Sequence, residues 1–266
     1  MFSSLSLLNE YESEEELIEN VHPENTSPRL PLPNSFKLVS QEEVKDDPKK
    51  HEGRIRSYPH QRGNWNSLIY VPCMRNLVNK SYFAPYLFKH KNRKNGPFDL
   101  LRDQIIDLCQ PKIEMKKIEE PHISLTRTFI LLYHWIDDFV AAVKKSLGIM
   151  LRYDVQFDGL KIYCNEERNR TFLAMSVGFG KMEITKSVQL LDKCLSEYKL
   201  HPFYNEASFH MSFLWCLGDK KKELEELLPE MNKVFEANLN DSFDVTIPVT
   251  RYICKIGNKM YNINLK

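Results

Sequence analysis

Two stretches of this chain alternate polar and apolar side chains with period two, and the segments around them repeat apolar residues with the period of a helix. From Pro121 to Leu132, a strand would place His122, Ser124, Thr126 and Thr128 on one face and Ile123, Leu125 and Phe129 on the other, because successive strand side chains point to opposite sides. From Ala207 to Leu217, the same alternation puts Ser208, His210 and Ser212 on one face, with Phe209, Met211, Phe213 and Trp215 opposite. A polar face backed by a large apolar one predicts a sheet with helices on one side and a cleft on the other.

The surroundings of the two strands repeat as well. Phe98, Leu101, Ile105 and Leu108 recur at helical spacing behind Pro97, a favourable first-turn residue. After the first strand, Ile136, Phe139, Val140, Val143 and Leu147 mark a second helix, and strands are expected over 153–164 and 170–178. The order then restarts. A helix carries Ile184, Val188, Leu191, Leu195 and Tyr198, the His210 strand follows, then a helix over 221–236 and strands over 243–249 and 251–256. Ser67 to Val71 predicts one further strand. The two histidines are 88 residues apart, and the helices after them start about 86 apart, which is the signature of a structural repeat. Beyond the His-x-Ser tripeptide the halves share no clear identity. The expectation is an α+β fold in which a pseudo-two-fold axis brings His122-Ile123-Ser124 and His210-Met211-Ser212 face to face across a groove.

Spacing alone leaves two readings open. With eight histidines in the chain, about 0.7 His-x-Ser/Thr matches arise by chance, and two ordinary half-buried strand histidines fit the pattern. The chemical reading is that two imidazoles and two hydroxyls line one cleft. An imidazole with an unperturbed pKa of about 6.5 allows one ring to be neutral and the other charged near neutrality. The neutral ring takes a proton from an attacking hydroxyl and the charged ring gives one to the leaving oxygen. The serines hydrogen-bond the phosphate oxygens as charge develops. A substrate carrying its own nucleophile suits this equipment, and the 2′-hydroxyl of RNA is one, so the expected product is a 2′,3′-cyclic phosphate.

Length and composition narrow the classes. At 266 residues the chain suits one large domain or two intimate lobes. No apolar run approaches a membrane span and the start resembles no secretion signal, so no membrane association is expected. The six cysteines, Cys73, Cys109, Cys164, Cys194, Cys216 and Cys254, lie 22 to 55 residues apart. That spacing predicts buried thiols rather than a zinc site, and neither metal nor cofactor is expected.

Net charge is +1, but residues 1–50 carry 11 acidic and 5 basic residues. That segment, rich in Ser, Pro, Glu and Asn, is expected to be a disordered acidic tail before a folded part at 51–266. From Arg54 to Trp65 basic and aromatic residues alternate, which suits either an RNA-facing edge or core packing with capping arginines. His60 in this segment is expected to be structural. Residues 75–97 hold Arg75, Lys80, Lys89, Lys91, Arg93 and Lys94 without an acid. They read as a basic insertion, either touching phosphates and holding an import-like run at 89–94, or without a fixed role.

The paired motifs resemble the two-histidine (2H) phosphoesterase superfamily and, within it, the U6 small nuclear RNA phosphodiesterases. The matching stretches are RIRSYPHQRGNWNSLIYVP (54–72), PHISLTRTFILLYHWID (121–137), KIYCNEERNRTFLAMSV (161–177), FYNEASFHMSFLWCLGD (203–219) and CKIGNKMYNI (254–263). The resemblance implies two pseudo-symmetric lobes, each a mainly antiparallel sheet with flanking helices, around a central cleft. It implies metal-independent 3′→5′ trimming of the oligouridine end of U6 RNA in the nucleus, by a monomeric enzyme. It makes His122 and His210 the acid–base pair and sets Ser124 and Ser212 on the phosphate. It places Tyr204 under a substrate base, with Ser208 in the same nucleotide-contacting segment. His210 is expected to be the base and His122 the acid. The chain departs from the resemblance at Glu166, where an amide is common, and in its long basic stretch at 75–97. Another 2H enzyme, acting on cyclic or 2′,5′-linked nucleotides, and a non-catalytic RNA-binding protein are the alternative readings.

Overall fold

The computed structural model describes residues 61–73, 97–205, 207–240 and 246–266. The acidic tail, the Arg54–His60 segment and all but the last residue of the basic stretch lie outside the described residues.

Among the described residues ten strands form one antiparallel sheet. In chain order they are β1 (Asn64–Pro72), β2 (Lys116–Lys117), β3 (His122–Ser124), β4 (Phe129–Leu132), β5 (Tyr153–Cys164), β6 (Arg170–Phe179), β7 (His210–Leu217), β8 (Thr246–Val249), β9 (Arg251–Ile256) and β10 (Lys259–Asn264). Among the described residues four helices accompany them: α1 (Pro97–Cys109), α2 (Ile136–Leu147), α3 (Lys181–Glu197) and α4 (Lys221–Asn240). The strand order is β10-β9-β1-β3-β7-β6-β5-β8, with β4 beside β1 and β2 beside β7. The two motif strands are therefore the central neighbours. Four strands run outward on the His122 side and four on the His210 side, which are the two lobes as halves of one curled sheet.

The repeated order of elements expected from the sequence is present, but the lobes do not follow it. β5 and β6, which follow the first motif in sequence, extend the sheet on the side of the second. β9 and β10, which follow the second motif, lie outside β1 on the side of the first. The helices exchange in the same way. α1 packs with α4 behind the second lobe, where Phe98 meets Phe213 at 5.9 Å between ring centroids. α2 packs with α3 behind the first, where Phe139 meets Phe129 at 5.5 Å and Tyr198 at 5.3 Å. Ile69, Ile123, Leu173, Met211, Phe213 and Tyr252 are fully buried between sheet and helices.

Tyr252 carries a hydroxyl into this core and is satisfied by a short chain of bonds. Ser187 donates to the Glu183 carbonyl at 2.9 Å, because a carbonyl only accepts. The Tyr252 hydroxyl therefore donates to Ser187 Oγ at 2.7 Å and accepts from Tyr153 at 3.1 Å. The chain joins α3, β9 and β5, and so fastens one lobe to the other.

Three expectations need correction. The run Pro121–Leu132 is not one strand. β3 pairs with Tyr70–Pro72 and β4 with Asn64–Ser67, and the residues between them leave the ladder. Thr126 consequently does not share the face of His122. It is buried, and its Oγ1 accepts the Ile69 N–H at 3.0 Å in place of a backbone carbonyl. In β7 a register shift against β6 lies between the Ser212 and Leu214 pairings, so Trp215 pairs with Phe172 and joins the face of Ser212 rather than that of Met211. Finally, Lys259–Asn264 is a strand that the periodicity did not assign. It hairpins on β9 through Gly257 at φ +58°, where an added Cβ would lie 2.5 Å from Trp65 Cε3.

Candidate active site

The geometry of the site follows from one register. Ile123 pairs with Met211 in the antiparallel ladder of β3 and β7. One step to either side, His122 lies opposite Ser212 and Ser124 lies opposite His210. Ile123 and Met211 are fully buried, so these four partly buried residues occupy the other face. Cross-strand neighbours have Cβ atoms about 4.5–5.5 Å apart. Each imidazole therefore sits beside the hydroxyl of the other motif.

Both rings are held in the same way. Nδ1 of His122 donates to the Glu120 carbonyl at 2.8 Å, and Nδ1 of His210 to the Ser208 carbonyl at 2.6 Å. A carbonyl only accepts, so each Nδ1 carries hydrogen and Nε2 is left for proton transfer. The aromatic supports differ. The Tyr70 ring lies 4.8 Å from His122 at a 49° tilt, whereas Tyr163 stacks on His210 at 3.7 Å and 16°. Tyr163 and Ser208 hydroxyls are 2.8 Å apart, which ties Ser208 to the aromatic support of His210.

Burial lowers both histidines from the ordinary imidazole value and is the largest influence on each. The remaining influences differ. The Glu120 carbonyl and carboxylate push His122 upward against the opposing charge of Lys255. For His210 only the Ser208 carbonyl pushes upward, while the charges of His122 and Lys161 push down. The carboxylate on the His122 side is itself within 3.8 Å of Lys255.

Tyr204 lies beside this centre and is 43 % exposed. The Arg127 guanidinium covers one of its faces at 3.8 Å from the ring centroid. Its hydroxyl donates to Glu166 Oε1 at 3.2 Å, and the same oxygen is 4.0 Å from Arg127. Arg127 and Glu166 thus hold the ring, with a cation over one of its faces. Glu166, the departure noted in the sequence, serves here as the acceptor that fixes Tyr204.

Of the six residues selected from the sequence, His122, Ser124, Ser208, His210 and Ser212 fall in this region, and Tyr204 is held by Arg127, Glu166 and Phe203. Sequence reasoning missed Tyr70, Arg127, Lys161, Tyr163 and Lys255. For Lys161 and Tyr163 a signal was present, since two residues apart in a strand they share a polar face. Among the described residues no group of three or more His, Cys, Asp or Glu is placed to hold a metal ion, and no helix is long and apolar enough to cross a membrane. Five cysteines are buried, and burial pushes Cys109 and Cys216 up to about 11 and Cys254 up to about 12, so these thiols stay protonated near neutrality.

The family model described as HVSL, an uncharacterised conserved protein, matches residues 30–264. The U6 snRNA phosphodiesterase 1 of Xenopus laevis is 34% identical over 272 residues, covering 98% of this chain and 100% of the relative. That of Drosophila melanogaster is 34% identical over 240 residues, covering 90% of this chain and 83% of the relative. The solved structure of Kluyveromyces marxianus Usb1 superposes with a TM-score of 0.53 at 12% identity, over 78% of this chain and 100% of that one. The last likeness is one of fold.

Proposed function

The chain belongs to the HVSL family and, within it, to the U6 snRNA phosphodiesterases, and from that premise we propose that it trims U6 RNA from the 3′ end by transesterification at His122 and His210. The observation that carries the mechanism is the crossed pairing of the motifs, which sets each imidazole beside the other motif's serine.

The 2′-hydroxyl of the penultimate nucleotide attacks the last phosphodiester. His210 Nε2 takes its proton, a P–O2′ bond forms, the P–O5′ bond breaks, and His122 Nε2 gives a proton to the departing O5′ of the terminal residue. The retained strand ends in a 2′,3′-cyclic phosphate. Ser124 and Ser212 donate to the non-bridging oxygens as negative charge builds. The assignment of acid and base rests on charge. His122 has a carboxylate near it that favours its charged form, whereas the neighbouring charges of His210 are cationic.

The terminal base stacks on the ring of Tyr204, which is 43 % exposed. In this reading Ser208 orients Tyr163 and the segment leading into β7. The enzyme acts as a nuclear monomer with its catalytic unit at 51–266 and an acidic segment at 1–50.

A short single-stranded RNA ending in uridines tests the reading, incubated with excess EDTA. A second substrate carries a 2′-deoxy sugar at the penultimate position. Stepwise shortening of the first, none of the second, and cyclic-phosphate ends by mass spectrometry are the expected results. Shortening of both substrates, or loss of activity in EDTA, would overturn the mechanism.

A further inference from the structure

Beyond Gln156, where its pairing with β8 ends, β5 has no outer neighbour among the described residues. It is irregular there, with register shifts against β6 around Phe157 and Gly159. Helix α4 closes part of this edge, the Leu160 N–H being accepted by Asn232 Oδ1 at 3.3 Å. Between strand and helix lies a groove of about 510 Å³, lined in part by Asp158, Lys161, Ser176, Asn232, Phe235 and Glu236. That volume is in the range of small-ligand sites.

Ser176 links the groove to the histidines. It is the cross-strand partner of His210 on β6, so the two side chains share a face. It is 6 % exposed, and its buried Oγ has no hydrogen-bond partner among the described residues. Buried hydroxyls are normally bonded, and an orphan of this kind calls for a group that arrives with a ligand. The corresponding neighbour of His122 is Pro72, which has no polar side chain. The feature therefore belongs to the His210 side alone.

Charge is sorted along the same groove. Lys161 pairs with Ala174, which pairs in turn with Ser212, so the ammonium stands in line with the phosphate-holding hydroxyl. Asp158 lies back along β5 at the irregular stretch, and Glu236 comes from α4, one turn beyond Asn232. A phosphate is attracted at the Lys161 end and repelled at the acidic end, whereas a sugar and base are accepted there.

We propose that this groove seats the nucleotide on the 5′ side of the cleaved bond, with Lys161 on the phosphate preceding it and Ser176 hydrogen-bonding its 2′-hydroxyl beside His210. The inference rests on the RNA phosphodiesterase reading and adds a direction to it. The leaving residue lies towards Tyr204, and the retained strand exits over β5.

The test compares the dinucleotide UpU with pUpU, which carries the additional 5′-phosphate. Wild-type kcat/KM is about tenfold higher for pUpU, the worth of one charge-assisted contact, and Lys161→Gln brings the ratio down to about one. Ser176→Ala raises KM for both dinucleotides several-fold, with the melting temperature and the pH profile unmoved. Equal wild-type rates on the two substrates, a ratio that survives Lys161→Gln, or an unchanged KM in Ser176→Ala would overturn the proposal. If the wild type cleaves neither dinucleotide, the functional reading fails on its own, and calorimetric binding of the same pair with a 2′-deoxy first sugar decides on the groove. Tighter binding of the 5′-phosphorylated compound that is lost in Lys161→Gln supports the groove, and equal binding overturns it.

Discussion

Ile123 and Met211 oppose each other at the centre of the sheet, and this apolar pair, fully buried, sets the distance between the two histidines. The pair belongs to the hydrophobic core on one face and determines the chemistry on the other. The histidines themselves are only partly buried and make their recorded hydrogen bonds to local carbonyls.

Replacing either histidine should therefore disable the enzyme without unfolding it. His122→Ala and His210→Ala are each expected to lower kcat by about 10²–10⁴-fold or more, the usual scale of general acid–base catalysis. Their thermal unfolding should stay close to wild type. Near-full activity in either variant would contradict the paired mechanism.

The pH dependence follows from the shared direction of the two shifts. Burial holds both imidazoles below their ordinary value of about 6.5, and the proposed mechanism needs one neutral and one charged. Above the ordinary value both rings are neutral and the acid is missing, while in stronger acid both are charged and the base is missing. A plot of kcat/KM against pH should be a bell with its maximum on the acid side of 6.5, its limbs belonging to the pair. For stability the sign is that of groups depressed on folding. The contribution is present above the unfolded value and lost as pH falls through the folded values. A bell centred above pH 7 would contradict the desolvated environment.

Tyr204→Ala should act on binding. Base–aromatic stacking contributes about 1–3 kcal/mol, so the Kd for a non-cleavable 2′-deoxy substrate should rise about 5–150-fold. The pH optimum should stay in place, because the proposed mechanism gives Tyr204 no proton to carry. An unchanged Kd would remove the stacking role.

Tyr252→Phe tests the fastening between lobes. It removes two bonds at once and leaves the Tyr153 hydroxyl and Ser187 Oγ without their partner. A loss of about 1–3 kcal/mol is expected, read as a fall in melting temperature of about 3–10 °C for a chain of this size. A melting temperature equal to wild type would show that the hydroxyl chain contributes nothing to stability.

Periodicity carried the helices and the motif strands because each has one face in the core. Ile136, Phe139, Val140, Val143 and Leu147 are all buried, as their spacing demands. It failed at Thr126, since a side-chain oxygen standing in for a backbone acceptor leaves alternation intact in the sequence while the chain leaves the ladder. It failed at Trp215 because one extra residue in β7 reverses every later face. The exchange of strands between lobes was beyond local pattern altogether, since β5 and β9 read alike whichever motif they flank. In the site, the histidines and serines were legible as a repeated tripeptide. Arg127 was not, because its partner Tyr204 is distant in sequence and the two meet only through the fold.

The exchange of strands also decides which part of a gene this enzyme can spare. β9 and β10 complete the half of the sheet that carries His122, and the backbone of Lys266 bonds back to Met150 and Arg152. A reading frame cut after Thr250 would leave both His-x-Ser motifs encoded and yet strip the first of the strands outside β1. Loss of β9 and β10 falls on the motif farther from them in sequence, so an intact pair of motifs is no measure of an intact fold.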